Sequence, residues 1–333
     1  MTVAFAAPAT DASYHQYDTS ESVPPRSVLE HLSARSLPGS PLRLRARMTT
    51  IAFEKWQALG NDYLIFEEQA LPFELTQPRI ARICDVHTGV GSDGILLLCE
   101  PDEPGFVARL RIFNPDGSES GLSGNGAREA VMYLRRHGWT DSDRFSIQTG
   151  AGEIRPHITG PDTCTLDMGR ARTSSADFPS GDADGAGELT TLDDRTWRFQ
   201  HVQVGNPQCV IHHPDLDGLE TLDLAAIGPQ IEHHALFPNR TNVSWFAEVQ
   251  PGIIRARIFE RGVGETMSSG TGASGAAIAY VLRGGDSPVT VRLDGGELTV
   301  AVGEDLHYDL TGWARPVYRG DLAADFCTEL ENL

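Results

Sequence analysis

Ser123-Gly124-Asn125-Gly126-Ala127 and Ser269-Gly270-Thr271-Gly272-Ala273 are near copies of each other, one mid-chain and one near the end. Each follows a turn that carries an acid: Asp116-Gly117-Ser118-Glu119 before the first, Gly262-Val263-Gly264-Glu265-Thr266 before the second. Each leads into an apolar helical pattern that stops at glycine. A repeat of this kind predicts two related halves, each with a glycine-rich helix start. The first N–H groups of a helix lack intrahelical partners and the helix dipole is positive there, so such a start is ready for an anion. Two of them facing one ligand would hold a carboxylate between two matching serines.

The segments around the repeat read as short strands. Ile51 to Trp56 alternates, Gly94-Ile95-Leu96-Leu97-Leu98 is a continuous apolar run, and Ala108 to Phe113 alternates again. The second half repeats this order with Trp197 to Val204, Cys209 to His212 and Ile253 to Phe259, and adds Val289 to Leu293 and Leu298 to Val302. Helices are predicted over 127–137, ending at Gly138, and 273–282, ending at Gly284-Gly285. Ala-Ala-Ile-Ala and Ala-Val-Met-Tyr-Leu are apolar on most faces, which predicts helices surrounded by sheet. The fold class expected is therefore α+β, two halves each built from strands around one principal helix. Ser174 to Gly187, rich in Ser, Asp and Gly, reads as a loop between the halves. Met1 to Arg47, with Pro24-Pro25 and Pro38-Gly39-Ser40-Pro41, reads as a disordered leader, or as sequence upstream of a start at Met48.

Composition narrows the partners. The formal net charge of −19 repels nucleic acid and anionic lipid. No apolar run is long enough to cross a bilayer, and no basic residue precedes the short apolar Val3 to Ala7, so a signal peptide is not expected. Five cysteines without paired spacing fit neither a disulfide framework nor a zinc site and suit a reducing, cytoplasmic compartment. Lys55 is the only lysine, so Schiff-base chemistry has a single candidate.

Gly270-Thr271-Gly272-Ala273-Ser274-Gly275 matches G-x-G-x-x-G, but a dinucleotide site needs a strand running directly into the first glycine. Here the preceding strand ends near Phe259 and a separate turn intervenes. Neither glycine loop continues into Lys-Ser or Lys-Thr, which excludes a phosphate-binding P-loop. Asn61, Asn114, Asn206 and Asn242 each occupy a turn, which asparagine favours for its own local bonding. Taken together, flanking the glycine loops, they suit a set of amide clamps for an amino acid. Glu260-Arg261 is either an exposed ion pair of little worth or a pair that grips an ammonium and a carboxylate. Ser123 and Ser269 are either helix caps or proton-transfer groups.

Leu59-Gly60-Asn61-Asp62-Tyr63, Asp85 to Gly94, Phe113-Asn114-Pro115-Asp116-Gly117-Ser118-Glu119, Gly124-Asn125-Gly126-Ala127-Arg128, Gln148 to Gly152, Val204-Gly205-Asn206-Pro207, Arg240-Thr241-Asn242-Val243 and Glu260 to Thr266, in this order, resemble the diaminopimelate epimerase family. The resemblance spans Phe53 to about Leu322. It implies two pseudo-symmetric domains, each a β-barrel-like sheet around a central helix: residues 51–167 plus about 315–333, and 168–314. It also implies a cofactor-independent, two-base epimerisation of L,L-diaminopimelate to the meso form, serving lysine and peptidoglycan precursor synthesis. No metal, nicotinamide or pyridoxal cofactor is needed for it. The α-carboxylate would lie at Gly124-Asn125 and Gly270-Thr271, with Asn61, Asn114, Asn206, Asn242, Glu260 and Arg261 on the remaining polar groups. The partner is a small amino acid, and a homodimer is the assembly compatible with it.

The chain departs from the family pattern where the chemistry is done. The two acid/base residues of the family are cysteines, and Ser123 and Ser269 stand at the matching positions. Gln208 stands where a histidine is usual. A thiol has a pKa of about 8.5 and falls further at a helix N-terminus. A serine hydroxyl is far more basic, each unit of shortfall costs about 1.4 kcal/mol, and a helix dipole returns about 2 kcal/mol at most. A third group is therefore required, with His87 and Glu265 as sequence candidates. The alternatives to serine-based epimerisation are an amino-acid binder without catalysis, an isomerase for another substrate, or an engineered Cys→Ser pair.

Overall fold

The computed structural model describes residues 50–333; the Pro- and Ser-rich leader and Met48 lie outside the described residues. Two sheets carry the fold. The first has eight strands in the order Arg315–Asp321, Ala52–Ala58, Asn61–Glu67, Ile95–Cys99, Ala108–Phe113, Ile147–Thr149 and Gly152–Ile154, with Glu119–Ser120 paired to the Ala108–Phe113 strand. The second has eleven and contains Thr196–Gln203, Pro207–His212, Asn242–Gln250, Ile253–Glu260, Val289–Leu293 and Gly296–Val302 as its central run.

The repeat seen in the sequence is a repeat of strand topology. From Ala52–Ala58 onward, neighbours pair antiparallel, parallel, antiparallel, parallel, antiparallel. From Thr196–Gln203 onward they pair in the same succession. In both lobes a two- or three-residue strand pairs beside the fourth of these steps, and a thirteen-residue helix follows it: Gly124–Arg136 in the first lobe, Gly270–Leu282 in the second. The expected pseudo-symmetric α+β fold, with a helix at the heart of each sheet, is what forms.

Burial explains the helix compositions. The Gly270–Leu282 helix is sealed on nearly every side by Val202, Val210, Ile254, Ile258, Val291 and Val300, so it carries alanine and glycine where a half-exposed helix would carry charge. Both helices start three residues earlier than the apolar pattern predicts, because Ser123 and Ser269 cap them and draw the glycine triplets into the first turn. Outer faces of the sheets are covered by elements the sequence pattern did not single out. Helices Gln77–Cys84 and Ala324–Glu331 cover one, and Leu216–Glu220 and Leu224–Glu232 cover the other.

Two strands tie the lobes together. Thr163–Arg170 hydrogen-bonds to His307–Trp313 in the second sheet, yet its Cys164 and Leu166 pack in the first core against the Gly124–Arg136 helix. Arg315–Asp321 returns to pair antiparallel with Ala52–Ala58 in the first sheet. At the end of the segment read as a loop an edge strand, Ala186–Thr190, begins, and within that segment Phe178 is buried against Phe199 and Phe237. No helix among the described residues is long and apolar enough to cross a membrane.

Candidate active site

The two central helices meet start to start. A side chain added at Gly124 would come within 3.7 Å of Gly270 Cα, and one added at Gly270 within 3.6 Å of Gly124 Cα. Glycine at both positions lets the two backbones approach this closely. Ser123 Oγ accepts from Gly126 N–H at 3.1 Å and Ser269 Oγ from Gly272 N–H at 3.2 Å. Each serine carbonyl takes the next N–H, from Ala127 and Ala273. The N–H groups of Gly124, Asn125, Gly270 and Thr271 are thus left without intrahelical partners at one place.

Around this junction lies a cleft of about 500 Å³, walled by both lobes. Of the residues expected at the site, Asn61, Asn114, Ser123, Gly124, Asn125, Asn206, Glu260, Ser269, Gly270 and Thr271 all line it, and Tyr63, Asp93, Ser268 and Met267 join them. Asn242 and Arg261 do not. Asn242 is buried, donates to the Pro207 carbonyl at 3.0 Å and accepts from Arg261 N–H at 3.0 Å, so it pins two loops behind the wall. The Arg261 guanidinium donates to the Asn239 carbonyl instead.

The lining holds two acids, Asp93 and Glu260, and no arginine or lysine. An anion there is met by backbone N–H groups and amides rather than by a surface cation. The only lysine, Lys55, is paired with Asp62 and donates to the Gly91 carbonyl, away from the cleft. The amides are held in a chain. Arg128 donates to the Gly124 carbonyl at 3.0 Å and to Asn125 Oδ1 at 2.7 Å, which turns Asn125 Nδ2 toward Asn61 Oδ1 and Ser268 Oγ. Asn61 in turn donates to Asp93 at 2.8 Å. In the other lobe Gln208 donates to Asn206 Oδ1 at 2.8 Å, and Asn206 donates to Thr271 Oγ1 at 3.3 Å.

Neither His87 nor Glu265 reaches the serines. Both are exposed, and Glu265 is paired with Arg257. The groups that do reach them are different. Ser269 donates to Glu260 Oε2 at 3.1 Å, while Thr266 donates to Oε1 at 2.8 Å. Tyr63 donates to Ser123 Oγ at 3.3 Å. Burial pushes the Glu260 carboxyl above the ordinary carboxylate range, against the pull of the Thr266 and Ser269 hydroxyls. Burial likewise raises the Tyr63 phenol. Tyr63 is invisible to pattern reading, because it also satisfies the strand Asn61–Glu67; only its place beside the Gly60-Asn61-Asp62 turn hints at more.

Behind the site, Glu129 is fully buried, and its two oxygens have no partner in hydrogen-bonding geometry. Desolvation raises its pKa well above the usual value; the Arg128 charge opposes this and is outweighed. In the unfolded chain this carboxyl ionises near pH ~4.3. The folded state therefore binds more protons than the unfolded one above that pH, and stability falls as pH rises toward the folded pKa. Glu129→Met, of similar length and apolar, is expected to raise Tm by several degrees near neutral pH. The gain should shrink as the pH approaches ~4. Thermal melts of both proteins across this range check it; a gain independent of pH would mean the carboxyl is ionised in the fold.

The family model for diaminopimelate epimerase matches residues 53–174 and 200–315. A diaminopimelate epimerase from Synechococcus elongatus is 37% identical over 281 residues, covering 82% of this chain and 98% of that protein. Diaminopimelate epimerase 2 from a Nostoc species is 38% identical over 277 residues, covering 82% of this chain and 96% of its own. Among solved structures, a PhzF-family phenazine biosynthesis protein from Bacillus anthracis superposes with a TM-score of 0.62 at 18% identity, covering 82% of this chain and 99% of that one. A hydroxyproline epimerase from Agrobacterium vitis, with bound trans-4-hydroxy-L-proline, gives 0.60 at 15%, covering 83% and 93%. At those identities the two structures speak for the fold alone, whereas the sequence matches run through both glycine loops and nearly the full length of the relatives: the chain belongs to the diaminopimelate epimerase family.

Proposed function

We propose that this protein is a cofactor-independent epimerase that inverts one α-carbon of L,L-diaminopimelate to give the meso isomer, a step toward lysine and peptidoglycan precursors. One observation carries the reading: Ser123 and Ser269 cap two abutting helix starts and line one cleft from opposite lobes. The α-carboxylate lies on the N–H groups of Gly124, Asn125, Gly270 and Thr271, where unpartnered donors and two dipoles favour it. Asn61, Asn114, Asn206 and Glu260 take the ammonium and the distal polar groups. Asn242 and Arg261 hold the loops that carry them.

Incubation with L,L-diaminopimelate, with the diastereomers resolved by chromatography and binding followed by calorimetry, tests the reading. Formation of the meso isomer supports it. Tight binding without conversion supports an amino-acid binder, and neither result points to an isomerase for another substrate. The basicity gap between hydroxyl and thiol makes a further prediction. Ser123→Cys combined with Ser269→Cys is expected to raise kcat by about tenfold or more, since a thiol is easier to ionise at a helix start. An unchanged steady-state rate would show that proton transfer is not the slow step.

A further inference from the structure

We infer that Ser268 is a further substrate-contacting residue. Its hydroxyl is the cleft end of a hydrogen-bond chain that begins at the buried Arg128 guanidinium, and it donates to the α-carboxylate as a second negative charge builds there. This rests on the epimerase reading above and adds a group to it.

The direction of the chain follows from its ends. A guanidinium only donates, so Arg128, at 2.7 Å, fixes Asn125 Oδ1 as the acceptor and turns the Asn125 NH₂ group the other way. At the far end Asp93 accepts from Asn61 Nδ2 at 2.8 Å, which leaves Asn61 Oδ1 facing Asn125. Asn125 therefore gives one N–H to Asn61, at 3.1 Å, and the other to Ser268 Oγ, at 3.2 Å. The Ser268 oxygen is thus used as an acceptor, and among the described residues nothing accepts its own proton. Ser268 is 6% exposed and lines the cleft, so that proton has only the contents of the cleft to turn to.

Local structure does not ask for a hydroxyl at this position. Ser269, not Ser268, caps the Gly270–Leu282 helix. At the matching place in the first lobe, directly before Ser123, stands Leu122. The second lobe holds a comparable chain from Gln208 through Asn206 to Thr271, but it starts on a neutral amide. Of the two, the chain that ends at Ser268 has a full positive charge behind it.

The chemistry gives that charge a use. Loss of the α-proton leaves an electron pair shared with the carboxylate, whose oxygens then approach two negative charges. The cleft lining contains Asp93 and Glu260 but no arginine or lysine. Hydrogen bonds in series polarise one another, so a hydroxyl that accepts from a guanidinium-anchored amide is a stronger donor than an isolated serine. Fixed donors aimed at developing charge are worth most where water is excluded. They matter more here than beside a thiol pair, because a weaker base must be met by a better stabilised carbanion.

Steady-state epimerisation of L,L-diaminopimelate by the full-length protein tests this, with thermal melts alongside. Ser268→Ala is expected to lower kcat by about tenfold to a hundredfold, with KM changing by only a few-fold, because the bond strengthens as charge accumulates. The penalty should shrink to about threefold or less when Ser268→Ala is added to Asn125→Ala, which breaks the chain, or to Arg128→Met, which removes its charged end. A merely structural serine would lower Tm and cost the same kcat in every background. Wild-type epimerisation with a Ser268→Ala kcat within about twofold of it would overturn the inference and leave the epimerase standing. A rise in KM alone, or an undiminished penalty in both backgrounds, would do the same. No epimerisation by the wild type would overturn the two together.

Discussion

Ser269→Ala and Ser123→Ala are each expected to lower kcat for epimerisation by about a thousandfold or more, with KM changing by only a few-fold. A positioned acid or base contributes about 10²–10⁴ to a rate, and on the proposed reading each alanine removes the proton-transfer group for one face of the stereocentre. The double variant should be barely worse than either single one, because a two-base transfer fails when either end is missing. Loss of the cap is a competing explanation, since a Ser→Ala change at an N-cap costs about 1 kcal/mol of stability. The two effects separate in magnitude and in kind. A cap lost from a helix buried among alanines and valines lowers the melting temperature by a few degrees and leaves the folded fraction near unity at assay temperature. A thousandfold fall in kcat at full folding is therefore chemical. Parallel steady-state kinetics and thermal melts decide, and near-normal turnover in either variant would remove that serine from the reaction.

Which features the sequence disclosed follows from how local their causes are. The helix starts were legible because a cap, a glycine triplet and an apolar run are contiguous, and they formed at Ser123 and Ser269. The paired topology of the lobes was legible because the repeat preserved strand order. The covering helix Gln77–Cys84 was not. It is short, has proline in its first turn, and turns only Ile80, Ile83 and Cys84 inward, too few for a period to emerge. The four turn asparagines look alike in sequence, yet Asn242 is spent on the Pro207 and Arg261 backbones while Asn61, Asn114 and Asn206 face the cleft. Residue type cannot separate those outcomes, since an amide serves backbone and ligand equally well. The pairing of groups behind the serines was equally hidden: Glu260 was expected on the ligand, not on Ser269, and Tyr63 was not expected at the site at all. They arrive from strands, Tyr63 60 residues upstream of Ser123 and Glu260 9 upstream of Ser269, a pairing set by sheet register and not by spacing.

Arg128→Met is expected to destabilise the fold by about 3 kcal/mol, from breaking a buried, hydrogen-bonded charge. The sign is not obvious, because two terms oppose. Arg128 is fully buried beside two helix N-termini, where a positive charge is unwelcome, and its Nε has no partner. Glu129 next to it is a weak counter-charge, since desolvation pushes that carboxyl well above its ordinary pKa. Removing the guanidinium relieves this cost. Against it stand two charge-assisted bonds, to the Gly124 carbonyl and to Asn125 Oδ1. Without them Asn125 Oδ1 would be left buried and unpaired at about 1–3 kcal/mol, while the Gly124 carbonyl keeps its intrahelical partner. The Arg128 plane also packs against the Gly312 backbone, so methionine leaves a gap there. The lost charge-assisted bonds, the orphaned Asn125 oxygen and the gap add, and they exceed what relief of one charge returns. Urea denaturation near neutral pH measures the difference. The loss should extend to the proposed substrate, because Arg128 holds Asn125 in the orientation that serves Asn61 and Ser268, and it places positive charge beneath the two helix starts proposed to take the carboxylate. Weaker ligand binding is expected even at temperatures where the variant is fully folded. Unchanged or higher stability would mean that the buried charge is kept at a net cost to the fold, and that its sole return is the grip on an anion.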